Sequence, residues 1–251
     1  MPASRPPSLT SRRDALALAL VLAAAVAGAG ALWARGEDLA RARWTLVEHD
    51  RNHHYATAIE LALHAREGDP VGFAGALDRA RQWPPLHALL AATTLGLGGI
   101  DPRIAWLPSL GAWVAFVGLA FAAARRAAPL DGRFAGAVAA LLAIGSPAHH
   151  AYASDVMLES LGAALTLFAV WAHATAQHSE RPAAWRRLAV ALTLLFFTKY
   201  SYWLLVVLAL AAAQLVLHAE TVRAARRPAA GSLPAHAPAW AARQARRPLV
   251  W

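Results

Sequence analysis

Several apolar runs in this chain approach or exceed the length of a membrane-spanning helix. They extend over residues 15–34, 104–124, 156–176 and 188–217. A transmembrane helix needs about 18 or more consecutive apolar residues, and a soluble protein of this length rarely contains so many such runs. Hydrophobic residues make up 58% of the chain and charged residues only 16%. We therefore predict an all-α, polytopic integral membrane protein.

The formal net charge of +9 comes mainly from arginines at the ends of these apolar runs. Such flanking charges set membrane topology, because cytoplasmic loops are enriched in Lys and Arg. We therefore expect membrane lipids, and no nucleic acid, as partners. The chain contains no cysteine, which excludes disulfides and thiol chemistry. Its heavy use of alanine and of arginine over lysine is typical of a GC-rich genome, so we predict a bacterial inner (cell) membrane location.

The N-terminus combines a basic leader, residues 1–13, with the first apolar run. The sequence Ser11-Arg12-Arg13 is similar to a twin-arginine export signal. A basic leader before a run long enough to cross the bilayer is also typical of a signal anchor. Because further spans follow, we favour the anchor and place residues 1–13 in the cytoplasm.

Residues 35–103 form a mixed region with eight arginines and nine carboxylates. This balance and length indicate a large first extracytoplasmic loop. Two sets of residues within it recur at helical spacing: Tyr55, Ile59, Ala62 and Arg66, and then Val71, Ala74 and Leu77. They predict amphipathic helices at the membrane surface. The segment "WPPLHALLAATTLGLGG", residues 83–99, predicts a further short, interfacial helix that begins at its prolines.

The second half of the chain predicts broken spans. The run at 134–145 ends at Ser146-Pro147. The run at 188–217 would be about 45 Å long as one helix, against a hydrocarbon core of about 30 Å. We therefore expect it to break near Thr198-Lys199-Tyr200 and to cross twice, which returns the arginine-rich tail to the cytoplasm. The prediction is about six transmembrane helices.

The predicted organisation has three parts, namely the leader 1–13, a transmembrane domain over 14–218 and a cytoplasmic Pro/Ala/Arg-rich segment over 219–251. The sequence ends in "RPLVW", which is similar to the beginning of another span. We therefore expect the chain to be the N-terminal portion of a longer protein.

Chemically useful side chains gather on the predicted outer face. Lys199 is the only lysine, and the other twenty-three basic residues are arginines. It is joined there by carboxylates, arginines and histidines, namely Glu48, His49, Asp50, His53, His54, Arg79, Arg81, His149, His150, Asp155 and Glu159. Asp155 and Glu159 stand four apart, which predicts that they share a helix face. Carboxylates and cations collected at one bilayer surface suit a charged, amphiphilic substrate.

Four local patterns resemble the GT-C superfamily of polytopic glycosyltransferases. They are "DRNHHYATAIELAL", "WPPLHALLA", "ASDVMLESLGAALTLFAVW" and "LTLLFFTKYS", in that order over roughly residues 14–218. The similarity is greatest to the bacterial branch related to protein mannosyltransferases and lipid A aminoarabinose transferases. It implies transfer of a hexose or pentose from a polyprenyl-phosphate-linked donor to an extracytoplasmic lipid, glycan or protein acceptor.

The resemblance also implies roles for individual residues. Asp50 matches the first-loop carboxylate that serves as catalytic base, with Glu48 as the alternative. Lys199 is expected to bind the donor phosphate. Relatives commonly carry a basic residue just ahead of the double proline, where this chain has Gln82 and Trp83, so Arg79 or Arg81 would have to reach the phosphate. The remaining residues expected to bind substrate are His53, His54, Tyr55, Asp155 and Glu159.

Other functions are also compatible with the sequence. A transporter or membrane-assembly protein would gather its ionisable residues near mid-bilayer, whereas here they cluster at one surface. An inactive, truncated product is a third possibility. No cofactor is expected, although His49 and His53 lie four apart and could hold a divalent metal.

Overall fold

The computed structural model describes residues 12–39, 49–128, 131–177, 179 and 181–226, without the side chains of 49 and 224–226. The described residues form helices and no strands. The helices are α1 (Arg12–Ala34), α2 (His49–Glu67), α3 (Pro70–Arg79), α4 (Leu86–Gly98), α5 (Pro102–Ala105), α6 (Leu107–Ala127), α7 (Gly132–Gly145), α8 (Pro147–Ala153), α9 (Glu159–Gln177), α10 (Pro182–Phe196) and α11 (Tyr200–Arg226). A further helical turn occupies residues 36–39.

Three stretches within the described residues are long and apolar enough to cross a membrane. They are α1, the continuous pair α5–α6 and α11, and the bent pair α7–α8 makes a fourth if it is counted as one span. Helices α9 and α10 do not combine the same length and apolarity. The structure therefore supports an all-α, membrane-associated protein. It contains three or four candidate spans among the described residues, and the total of about six stays a prediction.

Both predicted breaks in the apolar runs are confirmed. Helix α7 ends at Gly145 and α8 begins at Pro147, with a bend of 61° between them. The Ser146 side chain caps α8 by accepting a hydrogen bond from the His149 backbone N–H. Helix α10 ends at Phe196 and α11 begins at Tyr200, so Lys199 lies in the connecting turn.

The helices predicted in the first loop are confirmed as well. Helices α2 and α3 contain the two helical patterns, and Gly68 between them adopts a positive φ of 67°. The α4 helix begins just after Pro84-Pro85. These three helices pack into the same apolar core as α1 and α6, centred on Trp106, Trp113 and Phe121. The loop is therefore part of the folded body.

A buried ion pair closes one end of the helix bundle. The Arg125 guanidinium donates to both carboxylate oxygens of Asp14, at 3.2 Å and 2.6 Å, and both side chains are at most 9% exposed. Arg133 approaches the same carboxylate at 3.1 Å. This pair joins the start of α1 to the end of α6 and the start of α7. The candidate site lies at the opposite end of α6.

Candidate functional site

The lone lysine of the chain is held in an ion pair. Its Nζ donates to Oε1 of Glu159 at 2.6 Å and lies 4.8 Å from the centre of the Tyr202 ring. Burial tends to lower the pKa of Lys199, but the hydrogen bond and charge of Glu159 outweigh it and raise that pKa. Lys199 therefore stays cationic at neutral pH. The other Glu159 oxygen, Oε2, is buried and has no hydrogen-bond partner among the described residues.

Two residues of α2 complete this group. Asp50 is exposed in the first turn of α2, and its charge helps to raise the pKa of Lys199. His54, one turn further along, is buried. The charges of Asp50 and Glu159 act to raise its pKa, and the charge of Lys199 acts to lower it. We call Asp50, His54, Glu159 and Lys199 the polar cluster. The fold thus brings together four predicted site residues from α2, α9 and the α10–α11 turn.

Asp155, the first acid of the "ASDVMLES" segment, does not lie where the sequence predicted. Asp155 does not share a helix face with Glu159, because α9 begins only at Glu159 and Asp155 lies in the preceding link. Its Oδ1 accepts a hydrogen bond from the Val156 backbone N–H at 2.8 Å. This local bond holds the link outside the helix.

Asp155 instead forms a buried ion pair with Arg51, a residue that the sequence did not single out. Arg51 Nε and Nη2 donate to Oδ1 and Oδ2 of Asp155 at 2.7 Å and 2.9 Å. The side chains are 6% and 9% exposed. This two-point contact fixes α2 against the link before α9. It therefore positions Asp50, the neighbour of Arg51, relative to Glu159.

A small pocket adjoins the polar cluster. Its enclosed part has room for about one water molecule. The polar and ring-bearing residues in its wall are His53, His54, Thr57, Trp83, Pro84 and Pro85. The His54 ring meets the Trp83 ring edge-on, with centroids 5.1 Å apart. We call this the His–Trp pocket.

The histidines beside the pocket are kept neutral by burial. Burial lowers the pKa of His54 to about 4, with nearby His53 acting in the same direction. Burial also lowers the pKa of His87 to about 3, assisted by His54. His87 is fully buried on α4, and its Nε2 lies 3.2 Å from the Ser109 hydroxyl. His87 and Ser109 are not among the site residues predicted from the sequence, because an isolated His in an apolar helix gives no local signal.

We expect the buried neutral His54 to make the protein less stable in acid. Between about pH 6.5 and pH 4 the unfolded chain binds a proton that the folded chain excludes, so unfolding becomes easier as pH falls. The lowered pKa of His54 in the folded protein corresponds to a decrease in the free energy of unfolding of at most about 3 kcal/mol. His54→Gln should flatten the decline in thermal stability between pH 7 and pH 4.5, measured in detergent. The same change at exposed His218 should leave the decline intact, and an unaltered decline in the His54 variant would contradict the assignment.

Three other predicted residues lie outside the polar cluster. Arg79 pairs with Glu60 on α2. Arg81 is 82% exposed, with Asp78 at 3.9 Å. Tyr55 is half-buried, and burial and the charge of Asp101 raise its pKa. The structure thus brings neither arginine into the ion pair of Lys199.

The remaining predicted residues are Glu48, the alternative catalytic base, and the histidines that could hold a metal ion. Glu48 and the His49 side chain lie outside the described residues. Among the residues that are described, no three His, Cys, Asp or Glu side chains are grouped so that they could hold a metal ion. His149 and His150 pack against Phe116 and Trp113 respectively.

Comparison with known proteins gives no match: no protein-family model, no curated protein and no solved structure is similar to this chain. The geometry and chemistry of the polar cluster and its pocket are therefore the basis for assigning a function.

Proposed function

We propose that this chain is a membrane glycosyltransferase of the GT-C type. It would move a sugar from a polyprenyl-phosphate donor to a lipid, glycan or protein acceptor on the outer face of the bacterial inner membrane. The observation that supports this is the ion pair between Glu159 and the only lysine, which lies in the turn between α10 and α11, with exposed Asp50 of α2 among the charges that act on Lys199. A cytoplasmic N-terminus would put that turn outside.

The polar cluster contains the two kinds of group that this transfer needs. The acceptor hydroxyl oxygen attacks the anomeric carbon of the sugar, and the bond from that carbon to the phosphate oxygen breaks. The bond's electron pair leaves with the phosphate, whose growing negative charge a fixed cation stabilises. Lys199 would provide that charge. The hydroxyl proton needs a base, and the exposed carboxylate of Asp50 would accept it.

The ion pair with Glu159 suits Lys199 to this role. Glu159 keeps the ammonium group charged and fixed in the turn when no donor is bound. The ammonium group has three N–H donors, so a phosphate oxygen can bind without displacing Glu159. The Lys199 side chain is 24% exposed, and its turn lies at the end of the apolar helix α11. A phosphate whose hydrocarbon tail stays in the bilayer would approach at that level.

A transfer assay tests the proposal through Lys199. Membranes containing the chain receive polyprenyl-phosphate donors with radiolabelled sugars, and labelled acceptor is measured. We expect transfer by the wild type and a loss of about 10- to 100-fold in Lys199→Gln, because one charge-assisted contact to phosphate disappears.

Arg187→Gln is the matched control, since Arg187 is an exposed cation near the other end of α10. It should transfer at the wild-type rate. Equal transfer by wild type and Lys199→Gln would remove Lys199 from the site. No transfer from any donor, by a chain that inserts and folds, would contradict the enzyme and favour a transporter.

A further inference from the structure

We propose, on the basis of the function above, that Tyr202 is a positioning residue for the donor phosphate. Its ring packs against Gly162 and holds the ammonium group of Lys199 in the place where the phosphate binds. The sequence patterns assign no function to Tyr202 or Gly162.

The start of α9 meets the start of α11 through two pairs of residues. Glu159 and Gly162 stand three apart in "ESLG", and Lys199 and Tyr202 stand three apart in "KYSY". Residues three apart are neighbours on one face of a helix. The Trp203 N–H donates to the Lys199 carbonyl at 3.1 Å, which joins Lys199 to the first turn of α11. Glu159 binds Lys199 at 2.6 Å, and Gly162 lies against the Tyr202 ring. The ion pair and the aromatic contact therefore belong to the same meeting of two helix faces.

The contact between Tyr202 and α9 requires a glycine. A Cβ atom at position 162 would lie 2.6 Å from Cδ2 and 2.8 Å from Cε2 of the tyrosine ring, well inside the optimal carbon–carbon separation of about 3.5–4.0 Å. The ring also packs against the apolar cluster that contains Leu165, Leu195 and Val206. The packing of α9 against α11 therefore fixes the ring relative to Lys199.

The ring gives Lys199 a support that carries no net charge. Its centre lies 4.8 Å from Nζ, within the range of about 6 Å for cation–π attraction. Glu159 and Asp50 already act on Lys199 as anions, and a further carboxylate beside it would repel a phosphate. The aromatic face attracts the ammonium group without adding that repulsion. Tyr202 thus suits a lysine that must stay in place and still accept an anion.

The contact can be measured directly by NMR. Lysine labelled with ¹³C at Cε gives one side-chain signal from the chain, because Lys199 is its only lysine. The ring current of Tyr202 should displace the signal of the attached protons from the position of free lysine. We expect that displacement to persist in Tyr202→Phe, which keeps the ring, and to disappear in Tyr202→Leu.

The affinity of the purified chain for undecaprenyl phosphate in detergent measures the role. We expect Tyr202→Leu to bind it about three- to tenfold more weakly, the effect of losing one cation–π contact. Tyr202→Phe should bind it like the wild type. Phe168→Leu is the matched control, because Phe168 packs against the same apolar cluster but stacks on Trp171. It should leave the affinity unchanged.

Gly162 provides a second variant that leaves the tyrosine intact. Gly162→Ala adds a methyl group that must displace the ring, so it should weaken binding although alanine favours a helix more than glycine does. Gly111→Ala adds the same methyl group on α6, where nothing lies within 4 Å of it, and should change nothing. In the Tyr202→Leu background the smaller side chain leaves room for the methyl group. Gly162→Ala should then cause no further loss, since both changes act through one contact.

The outcomes distinguish this inference from the proposed function. If Lys199→Gln weakens binding of undecaprenyl phosphate but Tyr202→Leu does not, or if Phe168→Leu weakens it as much as Tyr202→Leu, the positioning role is wrong and the phosphate site stands. A Lys199 signal that is the same in wild type and Tyr202→Leu would also overturn the role. If the wild type does not bind undecaprenyl phosphate, or binds it no better than Lys199→Gln, the proposed function and the positioning role both fail.

Discussion

Asp50→Asn should reduce sugar transfer by about 10²- to 10⁴-fold, the range expected when a general base is removed. Asn has the shape of Asp but accepts no proton at neutral pH. Asp50 is exposed in the first turn of α2, so its loss should cost the fold less than about 1 kcal/mol in helix-dipole energy. The donor should still bind, because Lys199 and Glu159 are unchanged. The measurement is transfer from saturating donor together with donor affinity.

The control for Asp50 is a carboxylate on the same side of the fold. Asp78→Asn changes an exposed acid of α3 whose carboxylate lies 3.9 Å from the Arg81 guanidinium, and it should leave transfer unaltered. Glu48→Gln tests the alternative base. Full transfer by Asp50→Asn with loss in Glu48→Gln would move the base to Glu48, and full transfer by both would remove the first-loop carboxylates from the mechanism.

The sequence predicted the helices and their breaks because those features depend on neighbouring residues. Proline after Ser146 stops α7 locally, and the polar Thr198-Lys199 pair interrupts an apolar run that is too long for one crossing. The same logic identified Lys199 and Glu159 as polar residues near helix ends. Their direct contact could not be predicted, because it depends on how α9 packs against α10 and α11.

The predictions from the sequence were wrong for side chains that have several possible partners in the fold. Spacing alone placed Asp155 on a helix face with Glu159. In the structure its carboxylate binds the Val156 N–H and the Arg51 guanidinium instead. A pair separated by 104 residues leaves no periodic signal. Nearness to the prolines similarly predicts a phosphate contact for Arg79 or Arg81, whereas the fold gives them acidic neighbours on α2 and α3.

Arg51→Met should lower the free energy of unfolding by about 3–5 kcal/mol, the effect of breaking a buried ion pair on one side. The Asp155 carboxylate would keep its burial but lose a two-point cationic partner. Asp155→Leu should be comparably harmful, because it removes the two-point contact that Asp155 makes with the buried guanidinium. The double variant, Arg51→Met with Asp155→Leu, should recover much of the loss, since neither charge then remains buried. Thermal unfolding in detergent measures all three.

The exposed pair of Arg79 and Glu60 provides the matched comparison. Its side chains are 59% and 40% exposed, and surface ion pairs contribute about 0–1 kcal/mol, so Arg79→Met should change stability little. Equal losses in the two single-arginine variants would show that burial does not govern the Arg51 pair. If the double variant recovers stability but not transfer, the pair does more than hold the fold. It then positions α2, and with it Asp50, against Glu159 and Lys199, which a purely structural contact would not do.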